Sequence, residues 1–451
     1  MRFFVTAALI ALVGPMAAAD AQELSDALAS AYRHNPTLEG ARAQARASDE
    51  GLVQARAGYL PRVDVVGSAG VRSNESSLSG TSLGRQDLDP ESLSVQASQS
   101  LYTGGRRGAQ SRIARNQVEL ARARLRGVEQ QVLLEVITTY VDVLRDEEVV
   151  RIRANNVAVL ERQQQAAQSR FEVGLSTLTD VAQARARLAG AVAGLAGARA
   201  VLEGSRARYV EVVGEVPEGL SAPPVAASVP ADLDAALNAA LSSSPQVLSS
   251  EAAVRIAEAQ VRVDVSTLLP QVSVVGSASR NRETSSPNVE TDSMSAVAQV
   301  SVPLFQGGLA ASRVRQSRIN AERARADLEV ARRQAISDVT SAWSALLAAR
   351  QATEASKQQV EANTLAFEGV ELEQEAGERT TLDVLDAEQE LLDARLALVR
   401  TERDTYVAAH ALLAAAGQLD AASLGVNVPL YDPNDHERAS MRRFFSLSPA
   451  E

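Results

Sequence analysis

Leu93-Ser94-Val95-Gln96-Ala97-Ser98-Gln99-Ser100-Leu101, followed at once by Tyr102-Thr103-Gly104-Gly105, is the stretch on which the reading of this fold turns. Leu93, Val95, Ala97 and Leu101 alternate with small polar residues, the period of a strand with one apolar and one wet face. The paired glycines stop the strand, and no proline follows before Pro217. Residues 105–171 therefore form a candidate helix of about 67 residues, roughly 100 Å long at 1.5 Å per residue. Within it Leu125, Val128, Val132, Val136, Thr139 and Val143 recur at coiled-coil spacing.

The same arrangement occurs twice. Asn35-Pro36-Thr37-Leu38 matches Ser244-Pro245-Gln246-Val247, Leu60-Pro61 matches Leu269-Pro270, and Gly67-Ser68-Ala69 matches Gly276-Ser277-Ala278. Further on, Leu101-Tyr102-Thr103-Gly104-Gly105 matches Leu304-Phe305-Gln306-Gly307-Gly308, Tyr140 matches Trp343, and Gly174 matches Gly377. The first set lies 209 residues apart and the second 203, so the offset changes once, as one insertion or deletion in a surface loop would cause. The first unit spans 22–216, with strands at about 62–72 and 91–101, a polar Ser/Gly/Asn loop between them, the long helix at 105–171 and a return helix at 177–215. A linker rich in Pro, Ala and Ser covers 217–232. The second unit spans 233–417, with strands at about 271–280 and 293–303, a long helix at 309–374 and a return helix at 381–417. The tail, 418–451, shows no period and reads as irregular or disordered, with Arg442-Arg443-Phe444-Phe445 as a possible small contact site.

Composition narrows the class. Hydrophobic residues are 45% of the 451 but aromatic residues only 3%, so the apolar content is Ala, Val and Leu, suited to thin helix–helix seams rather than thick cores. A net charge of −11 argues against a nucleic-acid partner. The absence of cysteine excludes disulfides, thiolate metal sites, Cys nucleophiles and a lipid-modified N-terminal Cys. His34, His410 and His436 stand far apart, without ligand spacing, so neither a metal nor a cofactor is expected. Residues 1–21, with Arg2, an apolar run and Ala19-Asp20-Ala21, read as a secretory signal peptide too short to span a bilayer. No later segment is long and apolar enough to be a transmembrane helix, so any membrane-spanning part of the mature chain is β.

Alternating strands of about ten residues with a small polar face suit an outer membrane, although two half-buried hairpins of a soluble sheet alternate in the same way. Four strands cannot close a membrane barrel, whose smallest form has about eight, and open edges are excluded from lipid. Several copies must then share one barrel. Tyr59, Tyr102 and Phe305, just outside the strands on the helix side, are placed for an interfacial girdle or for covering helix ends.

The chain resembles the TolC-type outer-membrane efflux and secretion channels over roughly residues 23–417. The resemblance rests on Asn35-Pro36-Thr37-Leu38, Leu60-Pro61, Val302 through Gly308, Phe171 through Asp180, and Gly377 through Ala387, in this order and largely twice over. It implies a homotrimer: a 12-stranded outer-membrane β-barrel, four strands per chain, continuous with a periplasmic α-helical coiled-coil tunnel. It also implies a periplasmic adaptor and an inner-membrane ABC or proton-driven pump as partners, with the barrel in contact with outer-membrane lipid.

Asp383, Asp386, Glu390 and Asp393 share one helical face by their spacing, as a solvated surface or a water-filled lumen would equally require. By resemblance, Asp383 and Asp386 match the paired aspartates that ring the periplasmic mouth, where three copies would attract cations and repel anions; Glu390 and Asp393 extend that stripe. Thr179, Asp180 and Arg379 match positions that link helix ends in the shut state, with Arg379 expected to reach Asp180 or Thr179. Gln374 departs from the usual Tyr at a fourth linking position. Gly174 and Gly377 mark the two helical turns, and Val173-Gly174-Leu175-Ser176 match the adaptor-docking tip. A soluble periplasmic coiled-coil scaffold remains the alternative, separated from a duct by its lack of any use for the strands. An enzyme is disfavoured, because no nucleophile–base pair, metal cluster or phosphate loop occurs.

Overall fold

The computed structural model describes residues 22–78, 81–224 and 229–442. The signal segment and Arg443-Phe444-Phe445 lie outside the described residues. The first unit runs α1 (Leu24–His34), α2 (Pro36–Ala57), β1 (Arg62–Ala69), β2 (Arg72–Leu78), β3 (Thr81–Leu88), β4 (Glu91–Tyr102), α3 (Arg106–Glu172) and α4 (Leu178–Val213). The second runs α5 (Leu233–Ser243), α6 (Pro245–Ser266), β5 (Gln271–Arg282), β6 (Glu290–Ser301), α7 (Leu309–Glu375) and α8 (Thr381–Ala415), and α9 (Pro433–Ser440) follows. Three pairs of equivalent helices have equal lengths: 11 residues for α1 and α5, 22 for α2 and α6, and 67 for α3 and α7. The return helices α4 and α8 have 36 and 35.

Local chemistry sets the joints. Asn35 ends α1 and begins α2, its side-chain oxygen accepting from the N–H groups of Thr37 and Leu38 while Pro36 occupies the first turn. At each strand-to-helix junction two successive glycines adopt positive φ, Gly104 and Gly105 in one unit and Gly307 and Gly308 in the other. A Cβ on Gly104 would stand 2.8 Å from both the Leu269 Cβ and the Ser266 carbonyl oxygen, so this joint tolerates nothing larger.

The main sheet has the order β1-β4-β5-β6, antiparallel throughout. Its register aligns Val65, Val95, Ala278 and Met294 on one face, and Asp64, Gln96, Ser277 and Ser295 on the other. Hydroxyl pairs cross the polar face, Ser68–Ser92 at 2.8 Å, Ser277–Ser295 at 2.9 Å and Ser279–Ser293 at 2.8 Å. The outer edges of β1 and β6 pair with no described strand. Where the sequence reads as a polar loop between the first two strands, the structure holds a further antiparallel hairpin, β2–β3. Its strands are mostly polar in sequence, so no apolar alternation marks them. This hairpin occupies the outer loop within which the repeat offset changes.

The helices form a wall one layer deep. α3 packs on α2 and α4 on one side and on α6 and α8 on the other, and α7 packs on α6 and α8. The two shorter helices of each unit thus share one long partner, end to end. Ala109, Ala114, Ala123, Ala321, Ala331 and Ala335 are buried in these seams, where small side chains let helix axes approach. The largest core lies at mid-height, where Leu133, Val136, Ile137, Tyr140, Val143 and Tyr209 meet α1. The Tyr140 hydroxyl lies 2.9 Å from the Gln22 carbonyl oxygen and 2.8 Å from that of Ser221, tying the linker to the wall.

Up to Arg442 the tail corrects the expectation of an irregular segment. Leu419, Ala421 and Val426 enter the main core, and α9 lies along α2. His436 meets Asp49 at 3.2 Å, Arg122 meets Glu437 at 2.6 Å, and the Ser440 hydroxyl donates to Glu50 at 2.7 Å. These contacts are tertiary and leave no period in the sequence.

Gly104→Ala is expected to destabilise the fold by about 1–3 kcal/mol, the scale of a strained backbone site. A lowered unfolding midpoint, followed by Trp343 fluorescence in detergent, reads it; an unchanged midpoint refutes the close approach to Leu269.

Candidate functional site

The two helical turns at the end of the wall farthest from the sheet are built alike. In the first, Gly174 has φ +78°, and the Leu175 N–H reaches back to the Arg170 carbonyl at 2.8 Å. In the second, Gly377 has φ +85°, and the Glu378 N–H reaches the Glu373 carbonyl at 2.9 Å. Both are helix ends closed through a left-handed glycine. Val173 and Leu175 stand exposed at the first turn, and Ser176 donates to Asp180 at 3.0 Å.

Each return helix then begins with a reciprocal cap. The Asp180 N–H donates to the Thr177 hydroxyl oxygen, while the Asp180 carboxylate accepts from the Thr177 N–H and hydroxyl, both at 2.9 Å. Thr380 and Asp383 repeat the pattern, at 2.9 and 2.8 Å to the carboxylate. In both aspartates the bonds from the threonine backbone and then its hydroxyl hold the carboxyl below its ordinary range. Asp180 and Asp383 are thus equivalent capping residues of the duplicated unit, a role that the Thr-x-x-Asp spacing itself could have disclosed.

The remaining expected site residues separate. Arg379 pairs with Glu373 at 2.8 Å within the chain, rather than with Asp180 or Thr179. Thr179 is exposed. Gln374 is buried and joins the two hairpins, accepting from Arg170 of α3 and donating to Thr381 of α8, both at 3.4 Å. Asp386, Glu390 and Asp393 are exposed along one side of α8. Gln389 donates to Asp393 at 3.1 Å.

Two residues that the sequence reading did not single out hold α8 in place. Arg187 of α4 meets Asp386 at 2.7 Å, the ion pair that connects the two return helices. Comparing the halves at the 203-residue offset would have pointed to it, because Arg187 is the counterpart of Glu390 and Gln183 that of Asp386. Glu388, 6% exposed, lies on the opposite side among Val384, Leu385, Leu391 and Leu392. Its Oε1 accepts from Asn156 of α3 at 2.9 Å, and its buried Oε2 has no hydrogen-bond partner. Burial pushes its carboxyl up to about 7, against the opposing pull of Asn156 and Arg162. Its signal was a charge at an apolar seam position.

Among the described residues no group of His, Asp and Glu could hold a metal ion, and no helix is long and apolar enough to cross a membrane. The arrangement places capped helix ends, exposed carboxylates along α8 and the exposed apolar residues Val173 and Leu175 at one end of the wall.

The family model for outer membrane efflux proteins matches residues 27–215 and 236–418, one copy per repeat. The chain belongs to the outer membrane efflux protein family. It is an outer-membrane channel and not an enzyme, and the family sets aside the soluble scaffold. It is 33% identical to the outer membrane efflux protein BepC of Brucella suis, over 95% of this chain and 93% of that protein. It is 27% identical to the outer membrane protein TolC of Vibrio cholerae, over 93% and 95% of the two chains. The fold matches the Campylobacter jejuni CmeC outer membrane channel with a TM-score of 0.78 at 15% identity, covering 93% of this chain and 89% of that one.

Thr380→Ala is expected to speed amide exchange in the first turn of α8 roughly fivefold, the scale of a lost N-cap. In the unaltered protein the depressed Asp383 pKa makes the cap fully effective above the ordinary carboxylate range. Protection of that turn should therefore decline as pH falls through the depressed value. Unaltered exchange in the variant refutes the cap.

Proposed function

We propose that three copies of this chain form an exit duct, with the four-stranded sheets closing one 12-stranded barrel and the helical walls enclosing a periplasmic tunnel. The observation that supports this reading most directly is the pair of open sheet edges at β1 and β6. The sheet has one apolar face, and its unpaired backbone groups in hydrocarbon require partners that only further copies supply. The long helices continue directly from β4 and from the residues after β6, so the tunnel follows from the barrel.

At the far end, the α3–α4 and α7–α8 turns form the mouth. The exposed stripe of Asp386, Glu390 and Asp393 lines the water-filled side and favours cations. Asp383 supports the stripe by capping α8. The Arg187–Asp386 pair and the Gln374 bridge hold the hairpins together in the shut arrangement, while Thr179 and Arg379 remain exposed for contact with a neighbouring copy. The apolar tip, Val173-Gly174-Leu175-Ser176 with Gly377, receives a periplasmic adaptor that connects the duct to an inner-membrane ABC or proton-driven pump. The pump selects the cargo, small molecule or protein.

Detergent-resistant trimers in the outer-membrane fraction support the assembly, and a soluble monomer sinks it. In planar bilayers Arg187→Ala should raise single-channel conductance about twofold or more, because an α4–α8 tie is lost; unchanged conductance removes this pair from the gate. Asp386→Asn should lower the preference for cations over anions, read from the reversal potential in a salt gradient.

A further inference from the structure

Glu388 occupies a position at which helix periodicity calls for an apolar side chain. α8 seats between α3 and α7, and the seam around Glu388 is closed by Leu385, Leu391 and Leu392. A cleft of about 320 Å³ lies beside it, bounded by Ile152 and Val159 of α3 and Phe367 of α7. The charged groups facing it are Arg162 of α3, Glu368 and Glu371 of α7, and Arg395 of α8. None of these hydrogen-bonds to Glu388, whose one partner is Asn156. A carboxylate with a bare, buried oxygen is costly, whereas the neutral acid is tolerated. On the other side of the helix, Asp386 is already committed to Arg187.

We infer that Glu388 is a proton-sensitive latch: seated neutral, it holds the lower part of α8 against α3, and its ionisation releases that segment toward water. The seated form binds a proton that the released form gives up. The seam is therefore most stable below the ordinary carboxyl value of 4.5, weakens as pH rises toward about 7, and levels off above it. The Arg187–Asp386 pair, on the other side of the helix, is a separate tie. Only the consequence for conductance rests on the gate proposed above; the latch itself stands on the seam.

The test is hydrogen–deuterium exchange of α8 amides in the full-length protein in detergent, at pH 5 and pH 8, corrected for intrinsic rates. Seam opening should be roughly tenfold or more greater at pH 8, the effect of about one pKa unit. Glu388→Gln, isosteric and always neutral, should abolish that difference and remain protected at both values. Asn156→Ala, which removes the bond favouring the ionised form, should move the transition to higher pH. Equal opening of the unaltered protein at the two pH values overturns the latch, as does an undiminished pH response in Glu388→Gln. Conductance recorded over the same range separates the two readings. A latch that passes the exchange test while conductance ignores pH stands as a device of the seam and overturns only its coupling to the gate.

Discussion

Backbone hydrogen bonding in hydrocarbon governs this molecule. The four-stranded sheet satisfies its interior strands, but no described strand pairs with the outer edge of β1 or of β6. In water such edges would be a hazard for aggregation; in lipid they are excluded unless another chain completes them. Much else follows. Each strand pair must feed helices that can also close into a ring, so the chain duplicates one unit and keeps the long helices equal in length between the copies.

A wall one layer deep also accounts for the low aromatic content. The seams are sealed by Ala, Val and Leu, and the larger rings of Tyr140 and Tyr209 appear at mid-height, where α1, the linker and the tail thicken the wall. The long helices are polar around much of their circumference because water flanks both surfaces of the wall. The duplication is faithful in backbone but not in charge: α4 carries Arg185 and Arg187 where α8 carries Glu388 and Glu390. That inversion lets the two return helices attract one another, whereas strict copies would carry like charge.

The candidate site was legible in part. Spacing placed Asp383, Asp386, Glu390 and Asp393 together on α8, and the glycine turns were visible because few residues adopt positive φ. Spacing along a helix, however, does not say what a carboxylate touches. Asp383 and Asp180 cap helices, Arg379 stays with Glu373, and Asp386 finds Arg187 across 199 residues. Glu388 escaped notice because it lies off the stripe and its importance comes from burial, a property of three helices together. The tail escaped for the same reason, its contacts being individual pairs such as His436–Asp49 rather than a repeated pattern.

Local and periodic information alone determined the strands of the main sheet, the two long helices, the duplication and the turns, because each depends on steric preferences repeated over neighbouring residues. Only the tertiary structure decided which charges meet, which carboxyl is sealed from water and where the tail lies. Those outcomes depend on which helix faces come together across hundreds of residues. The cost of burying a charge is likewise set by that assembled surrounding and not by the residue itself.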